Sequence, residues 1–248
     1  MNKTYVFTDL HGQYDLWAQI RDYADKDDQL IFLGDAIDRG PDGIKIMQEM
    51  LADSRITYLK GNHEDFLTRY TSPTNIALWT KSNNGGRATY EALLQLSEDK
   101  RTALVEAIKA LPLWAAYKNN YGKCFYLSHA GFTPEQDLHL DHYDLLWDRD
   151  HFDDNWPTEE EFKDTYIIHG HTPAIYVAHR RNELDLIDYD PGYTGFGIFI
   201  YEKGHKIALD LGSADTKKVA LYNLDEMKVE KYFYGKEYKN NQRSEEET

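Results

Sequence analysis

Cysteine is all but missing from this chain: Cys124 is the only one in 248 residues. No disulfide can form within it, and a lone thiol in an apolar stretch is expected to be a buried small hydrophobe. Cations are scarce as well. Against 43 Asp and Glu stand 28 Lys and Arg, a formal charge of −15. That balance argues against a broad nucleic-acid surface, which works by neutralising phosphates with Lys and Arg. A small cationic pocket can still hold one phosphate. No apolar run approaches the ~18–20 residues that span a bilayer. The first residues lack a charged stretch followed by a long apolar one. The expectation is a cytoplasmic protein with no membrane partner and no obligate protein partner.

Linker-like stretches and solenoid repeats are missing too. One domain is therefore expected over 1–234, followed by a polar tail, 235–248, that frays. What is present is 41% hydrophobic and 14% aromatic, which excludes a disordered chain. A chain this long buries about three quarters of its extended surface, so its core needs no staples.

Short apolar runs at 5–7, 30–33 and 56–59 read as buried strands. They lead to Asp9, to Gly34-Asp35 and to Gly61-Asn62, which are 26 and 27 residues apart, about one βαβ unit. Helical patterns over 14–24 and 43–51 lie between them. Strands alternating with helices imply a parallel sheet with right-handed crossovers, whose ligands bind off the carboxyl ends of the strands. Amphipathic helices follow at 87–96 and 98–111, with a turn-rich stretch, 73–86, before them. Strands are expected at 124–127 and 166–168, and a capping box at 158–161 reads as a short helix. From 184 on, the pattern is short strands and tight turns (184–187, 197–201, 206–211, 218–222, 228–234), with a hairpin at 202–204, and reads as antiparallel. Two mixed sheets, one fed by crossovers and one by hairpins, are expected to pack face to face with helices outside.

Five motifs sit just past these strands. Asp9-Leu10-His11 puts a carboxylate and an imidazole at an i, i+2 spacing suited to a divalent metal; the plainer reading is a cap and a surface histidine. In Gly34-Asp35-Ala36-Ile37-Asp38-Arg39-Gly40 a bridging carboxylate precedes a fork suited to phosphate, or a local ion pair in a turn. Gly61-Asn62-His63-Glu64 offers an amide oxygen to a metal and an imidazole to a leaving oxygen, with Asp38 to hold its tautomer, or merely a helix cap. His129 and His171 add one imidazole each. Any one of these is weak; the ordered set, each at a strand end, is not.

That ordered set, Asp9-x-His11-Gly12, Gly34-Asp35-x-x-Asp38-Arg39-Gly40, Gly61-Asn62-His63-Glu64, His129-Ala130-Gly131 and Gly170-His171-Thr172, resembles the calcineurin-like metallophosphoesterases. It is most similar to the branch of the PPP-type serine/threonine protein phosphatases and their small bacterial and phage relatives. The resemblance implies a four-layer α/β/β/α sandwich and a dinuclear site. It assigns Asp9, His11 and Asp35 to a first metal, and Asp35, Asn62, His129 and His171 to a second. His63 becomes the general acid with Asp38 behind it. Arg39 binds phosphate, and Arg149 is the match for the family's second phosphate-binding arginine. Manganese is the expected ion, with iron, zinc or nickel as alternatives. Many phosphodiesterase branches carry a further histidine two residues after His171's position; here Pro173 stands there and cannot ligate. The first metal then keeps three protein ligands, and His169 is left a supporting role.

On this reading two divalent ions, two aspartates and a hydroxide leave the core at about +1, so an anionic phosphomonoester can dock in an acidic protein. The hydroxide attacks phosphorus in line, Arg39 and Arg149 hold equatorial oxygens, and His63 protonates the leaving group. The expected activity is phosphomonoester hydrolysis on a phosphoprotein, serine/threonine or dual-specificity, or on a small phosphoester. The alternatives are dinucleoside polyphosphate hydrolysis or removal of polynucleotide end phosphates, with Trp79 and Arg87 as stacking wall and clamp, and a non-catalytic metal-bound scaffold. The acidic segment 132–157 reads as a solvated face or as a rim for basic peptides, and 79–87 as a lid or a plain connector.

Overall fold

A computed structural model describes residues 2–131, 142–153, 163–189 and 195–236. The helix expected at 158–161, much of the acidic segment and the tail from 237 lie outside these. Two crossover units open the chain: β1 (Thr4–Phe7), α1 (Tyr14–Tyr23), β2 (Gln29–Phe32), α2 (Gly43–Ala52) and β3 (Ile56–Tyr58). The helices α3 (Asn62–Thr68), α4 (Pro73–Trp79), α5 (Arg87–Gln95) and α6 (Glu98–Lys109) follow. Then come β4 (Trp114–Lys118), β5 (Cys124–Ser128), α7 (His142–Trp147), β6 (Thr165–His169) and α8 (Ala174–Arg180). The chain closes with β7 (Ile187–Tyr189), β8 (Phe196–Tyr201), β9 (Lys206–Ala208), α9 (Ser213–Thr216), β10 (Lys218–Asn223) and β11 (Lys228–Tyr234).

The strands form two mixed sheets, ordered β11-β10-β1-β2-β3 and β4-β5-β6-β9-β8-β7. Strands β1, β2 and β3 run parallel, with Val6 opposite Ile31 and Ile31 opposite Thr57. Side chains of a strand alternate between faces, and both faces of the first sheet are buried. Tyr5, Phe7, Leu30 and Phe32 join one core with Trp17 and Ile20 of α1 and Met47 of α2. Val6, Ile31 and Leu33 join a second with Phe125, Leu127 and Ile168 of the other sheet, which continues to Val177 and Ala178 of α8. The result is the α/β/β/α sandwich.

Several expectations are corrected. The C-terminal half is not all antiparallel: β9 pairs parallel with β6, Ile168 opposite Ile207. The β10–β11 hairpin joins the first sheet, β10 lying antiparallel to β1. The 73–86 stretch is not merely turns, because Ser72 caps α4 through the Asn75 N–H and Pro73 takes its first position, where its missing N–H costs nothing. Residues 184–186 form a 3-10 turn rather than strand. Strand β4 and helices α7, α8 and α9 answer to no expected element, and α3 is the helix of the cap reading, with Gly61 rather than Asn62 at its N-cap. Cys124 is half-buried, not sealed in a core.

Candidate metal centre

All the site residues named from the sequence follow strands or start a helix beyond one, except Arg149, which lies just past α7. Loops after β1, β2 and β3 bring Asp9 and His11, then Asp35, Asp38 and Arg39, then Asn62 and His63. Loops after β5 and β6 bring His129 and His171. Asp9, His11, Asp35, Asp38, Asn62, His63 and His129 are all buried. The first two loops are laced by backbone bonds, Asp9 N–H to Gly34 O at 3.0 Å, His11 N–H to Asp35 O at 2.9 Å and Gly12 N–H to Ala36 O at 2.8 Å. Six of the eleven non-glycine residues with left-handed φ among the described residues are Asp9, His11, Asp35, Asp38, Arg39 and His171. Such backbone costs about 1 kcal/mol or more per residue, and concentrating it here marks a site whose side-chain directions are over-determined.

Glu64, fully buried, supplies the counter-force. Its carboxyl accepts the N–H groups of Asp35 and Ala36 at 2.8 Å each, that of Gly61 at 2.9 Å, and the Tyr58 hydroxyl at 2.9 Å. This clamps the β2 loop against the β3 loop. Gly34, at φ 100°, sits so close that a Cβ there would lie 2.4 Å from the Gly61 nitrogen, so only glycine fits.

Asp35 is the hub. Its Oδ2 lies 3.4 Å from His129 Nε2 and 3.8 Å from both His11 Nε2 and His63 Nε2, while its Oδ1 accepts the His63 N–H at 3.1 Å. It belongs to both groups of potential metal donors among the described residues: His11, Asp35 and His63, and Asp9, Asp35 and His129. Asn62 Oδ1 lies 2.8 Å from His129 Nε2 and 2.9 Å from His171 Nδ1. The tautomers of two imidazoles follow from their backbone partners. His11 Nδ1 faces Ile37 O at 3.0 Å and His129 Nδ1 faces Leu33 O at 2.9 Å, so each turns an Nε2 lone pair inward. His129 Nε2 and Asn62 Oδ1 are then two acceptors in contact, which a shared cation reconciles.

The electrostatics agree. Burial, then the neighbouring charge of Asp210, holds the Asp9 carboxyl well above the usual range. Burial, then Asp9 and Glu64, does the same for Asp35. Burial pushes His129 down to about 3 and holds His11 and His171 well below the ordinary imidazole value. Carboxylates short of positive charge and imidazoles kept neutral are what a divalent cation requires. The buried Asp9 Oδ1, moreover, has no hydrogen-bond partner. The residues fit such an ion.

His63 Nδ1 meets Asp38 Oδ2 at 2.6 Å, and the Trp79 indole N–H donates to the same oxygen at 2.6 Å. Arg39 donates to His11 Nε2 at 2.8 Å and Arg149 Nε to the Thr172 hydroxyl at 3.0 Å. Both arginines, with His171, Tyr176 and Arg180, line a cleft of about 800 Å³. Burial, with Arg180 nearby, pulls the Arg149 guanidinium below its ordinary value, though it keeps its charge. The 82–85 turn edges this cleft, but the stacking wall and clamp expected of Trp79 and Arg87 are not available. Trp79 is fully buried, and Arg87 points outward toward Glu91, 4.0 Å away. Part of the acidic rim is already neutralised, since Arg180 pairs with Asp150 and Asp153. His169 is buried with its Nε2 at 2.9 Å from the Tyr201 hydroxyl, away from the cluster.

Asp210 escaped the sequence reading. It follows β9 as Asp35 follows β2, is buried, and burial raises its carboxyl to about 6. The signal was present in Leu209-Asp210-Leu211-Gly212, an acid and a glycine closing an apolar run, but the run reads equally as strand to Leu211.

The sequence model of the calcineurin-like phosphoesterase family matches residues 3–204. A symmetrical bis(5'-nucleosyl)-tetraphosphatase of Buchnera aphidicola subsp. Acyrthosiphon pisum is 27% identical over 141 residues, covering 55% of this chain and 47% of that protein. The chain thus spans about half the length of the first curated relatives it matches. Serine/threonine-protein phosphatase 1 of Salmonella typhimurium is 28% identical over 156 residues, 59% of this chain and 68% of that one. A Saccharomyces cerevisiae serine/threonine phosphatase with similarity to human PP5 shares the fold at a TM-score of 0.60 and 15% identity, over 96% of this chain and 82% of that one.

Proposed function

The chain belongs to the calcineurin-like phosphoesterase family, and from that premise we propose that it is a metal-dependent phosphomonoester hydrolase acting on phosphoserine and phosphothreonine, or with dual specificity, in proteins. The observation that carries this is the dyad of His63 and Asp38, 2.6 Å apart, with His63 Nε2 beside the Asp35 hub, in a centre whose His171 shares a cleft with Arg39 and Arg149. Asp9, His11 and Asp35 would hold one ion, and Asp35, Asn62, His129 and His171 the other, with manganese the first to test. Divalent ions bound there would supply an activated water and charge stabilisation at phosphorus.

The remaining work falls to side chains. Arg39 and Arg149 present planar N–H forks to the equatorial phosphoryl oxygens and orient them. His63 holds a proton at Nε2, 3.8 Å from Asp35 Oδ2, and passes it to the leaving oxygen. Asp38 keeps the Nδ1 proton in place meanwhile.

A second reading, dinucleoside polyphosphate hydrolysis, has an observation of its own: a third guanidinium, Arg180, lines the same cleft as Arg39 and Arg149, and a longer phosphate chain would have to draw it from Asp150 and Asp153. A panel of nitrophenyl phosphate, a phosphopeptide and diadenosine tetraphosphate, run with manganese, separates these. The first reading expects turnover of the first two, with the phosphopeptide preferred over the tetraphosphate. A tetraphosphate preferred at least about tenfold in kcat/KM would transfer the assignment to the second. Bound ions without turnover of any ester would leave a scaffold.

A further inference from the structure

Asp38 is fully buried and left-handed at φ 71°, and one stretch of chain holds it. Its Oδ2 accepts the Trp79 indole N–H as well as His63 Nδ1–H, both at 2.6 Å. Its backbone N–H donates to the Thr89 hydroxyl at 3.0 Å. The next residue, Arg39, gives its backbone N–H to Gly85 O at 3.0 Å. Trp79, Gly85 and Thr89 all belong to the turn joining α4 to α5 and its flanks. The indole itself is fixed from two sides. Tyr90 packs edge-on at 5.8 Å, and Gly86 lies so close that a Cβ there would fall 2.2 Å from the indole Cδ1.

The other carboxylate oxygen, Asp38 Oδ1, is buried with no hydrogen-bond partner. Rotation about a carboxylate's last torsion is soft, so little else keeps Oδ2 turned toward His63. We propose that Trp79 is a positioning residue for the protonation step. Its indole N–H pins Oδ2 of Asp38, Asp38 orients the His63 ring, and the ring aims its Nε2 proton at the leaving oxygen. This inference rests on the phosphoesterase reading above. In the step, the oxygen of water bonds to phosphorus and the bond to the leaving oxygen breaks. The leaving oxygen keeps the electron pair and takes the proton from Nε2. His63 ends neutral, retaining Nδ1–H on Asp38, and regains a proton from solvent. Arg39 is held by a different atom of the same connector, Gly85 O, so phosphate binding does not depend on the indole.

The plainer account is a buried tryptophan whose N–H merely needs an acceptor, and the leaving group separates the two. Trp79→Phe is compared with wild type on a phosphoserine peptide, whose alkoxide needs a proton, and on nitrophenyl phosphate, whose phenolate hardly does. The expected result is a kcat about tenfold lower on the peptide. On nitrophenyl phosphate kcat stays within about twofold, and KM and manganese affinity are unchanged on both. Equal losses on the two substrates, or no loss, would overturn the role of Trp79 while leaving the phosphoesterase reading intact. A wild-type protein that binds metal but hydrolyses neither substrate overturns that reading and this inference with it. If Trp79→Phe does not fold, benzothienylalanine placed at position 79 keeps the shape and removes only the N–H, and the same split decides.

Discussion

On the first sheet the loops that carry the site are laced by several bonds and a shared carboxylate; on the second, the two loops share one backbone bond, Gly170 N–H to His129 O at 2.8 Å, and lean on the first for their other anchors. The loops after β1, β2 and β3 are joined by their own backbone bonds and by Glu64, which gathers three N–H groups from two of them. His129 and His171, from the second sheet, take their anchors from the first: Leu33 O accepts from His129 Nδ1, and Asp9 Oδ2 accepts the His171 N–H at 3.1 Å. One half of the centre is therefore preorganised by the fold, and the other half is completed by docking onto it. Damage to the first half is expected to cost fold and function together, and damage to the second to cost function alone.

The largest effect should follow loss of the atom both halves share. Asp35→Asn removes the negative hub within reach of three imidazoles. We expect metal-dependent activity to fall by about a thousandfold or more, with manganese binding lost in calorimetry. Activity within tenfold of wild type would mean that the two halves do not meet at Asp35.

The comparison is sharpened by pairing Glu64→Ala with His171→Ala. The first strands three buried N–H groups and a tyrosine hydroxyl, and should lower the unfolding free energy by about 3–5 kcal/mol in urea melts. The second should abolish turnover yet shift stability by no more than about 1 kcal/mol. Equal destabilisation by the two would erase the contrast. Smaller again is Arg149→Ala, which removes a cleft guanidinium without touching the first sheet. KM for phosphoester should rise about tenfold, with kcat less affected.

The smallest effect is on pH. Asp9 and Asp35 hold protons above the usual carboxylate range, while His129, at about 3, has none to release near neutrality. Metal must displace the carboxyl protons, so manganese affinity should rise with pH through the range where those carboxyls titrate, with protons released. Asp210 contributes by raising Asp9. Asp210→Asn should therefore move the affinity curve to lower pH by up to about one unit. A curve that stays put, or affinity that falls as pH rises, would count against this account of the cluster.

The same contrast governs what could be read without coordinates. The first-sheet residues are legible because each strand is a compact apolar run ending in a polar residue, and the run, the turn and the donor are adjacent in sequence. The β10–β11 hairpin is local, but its place beside β1 is set by pairing such as Tyr5 with Asn223, more than 200 residues apart, which no local pattern encodes. Strand β4 is an exposed edge with alanines at its centre and leaves little apolar signature. Trp79 reads as a candidate lid because its role depends on where one N–H points after α4 and α5 fold together. Asp210 is hidden because a strand running on past its true end masks the acid that closes it.

The central claim is that two cations flank Asp35. Crystals grown with manganese and measured at its absorption edge test it most directly. Two anomalous peaks are predicted, one beside Asp9 and His11 and the other beside Asn62, His129 and His171, with the Asp35 carboxylate between them. A single peak, or peaks away from Asp35, would contradict it.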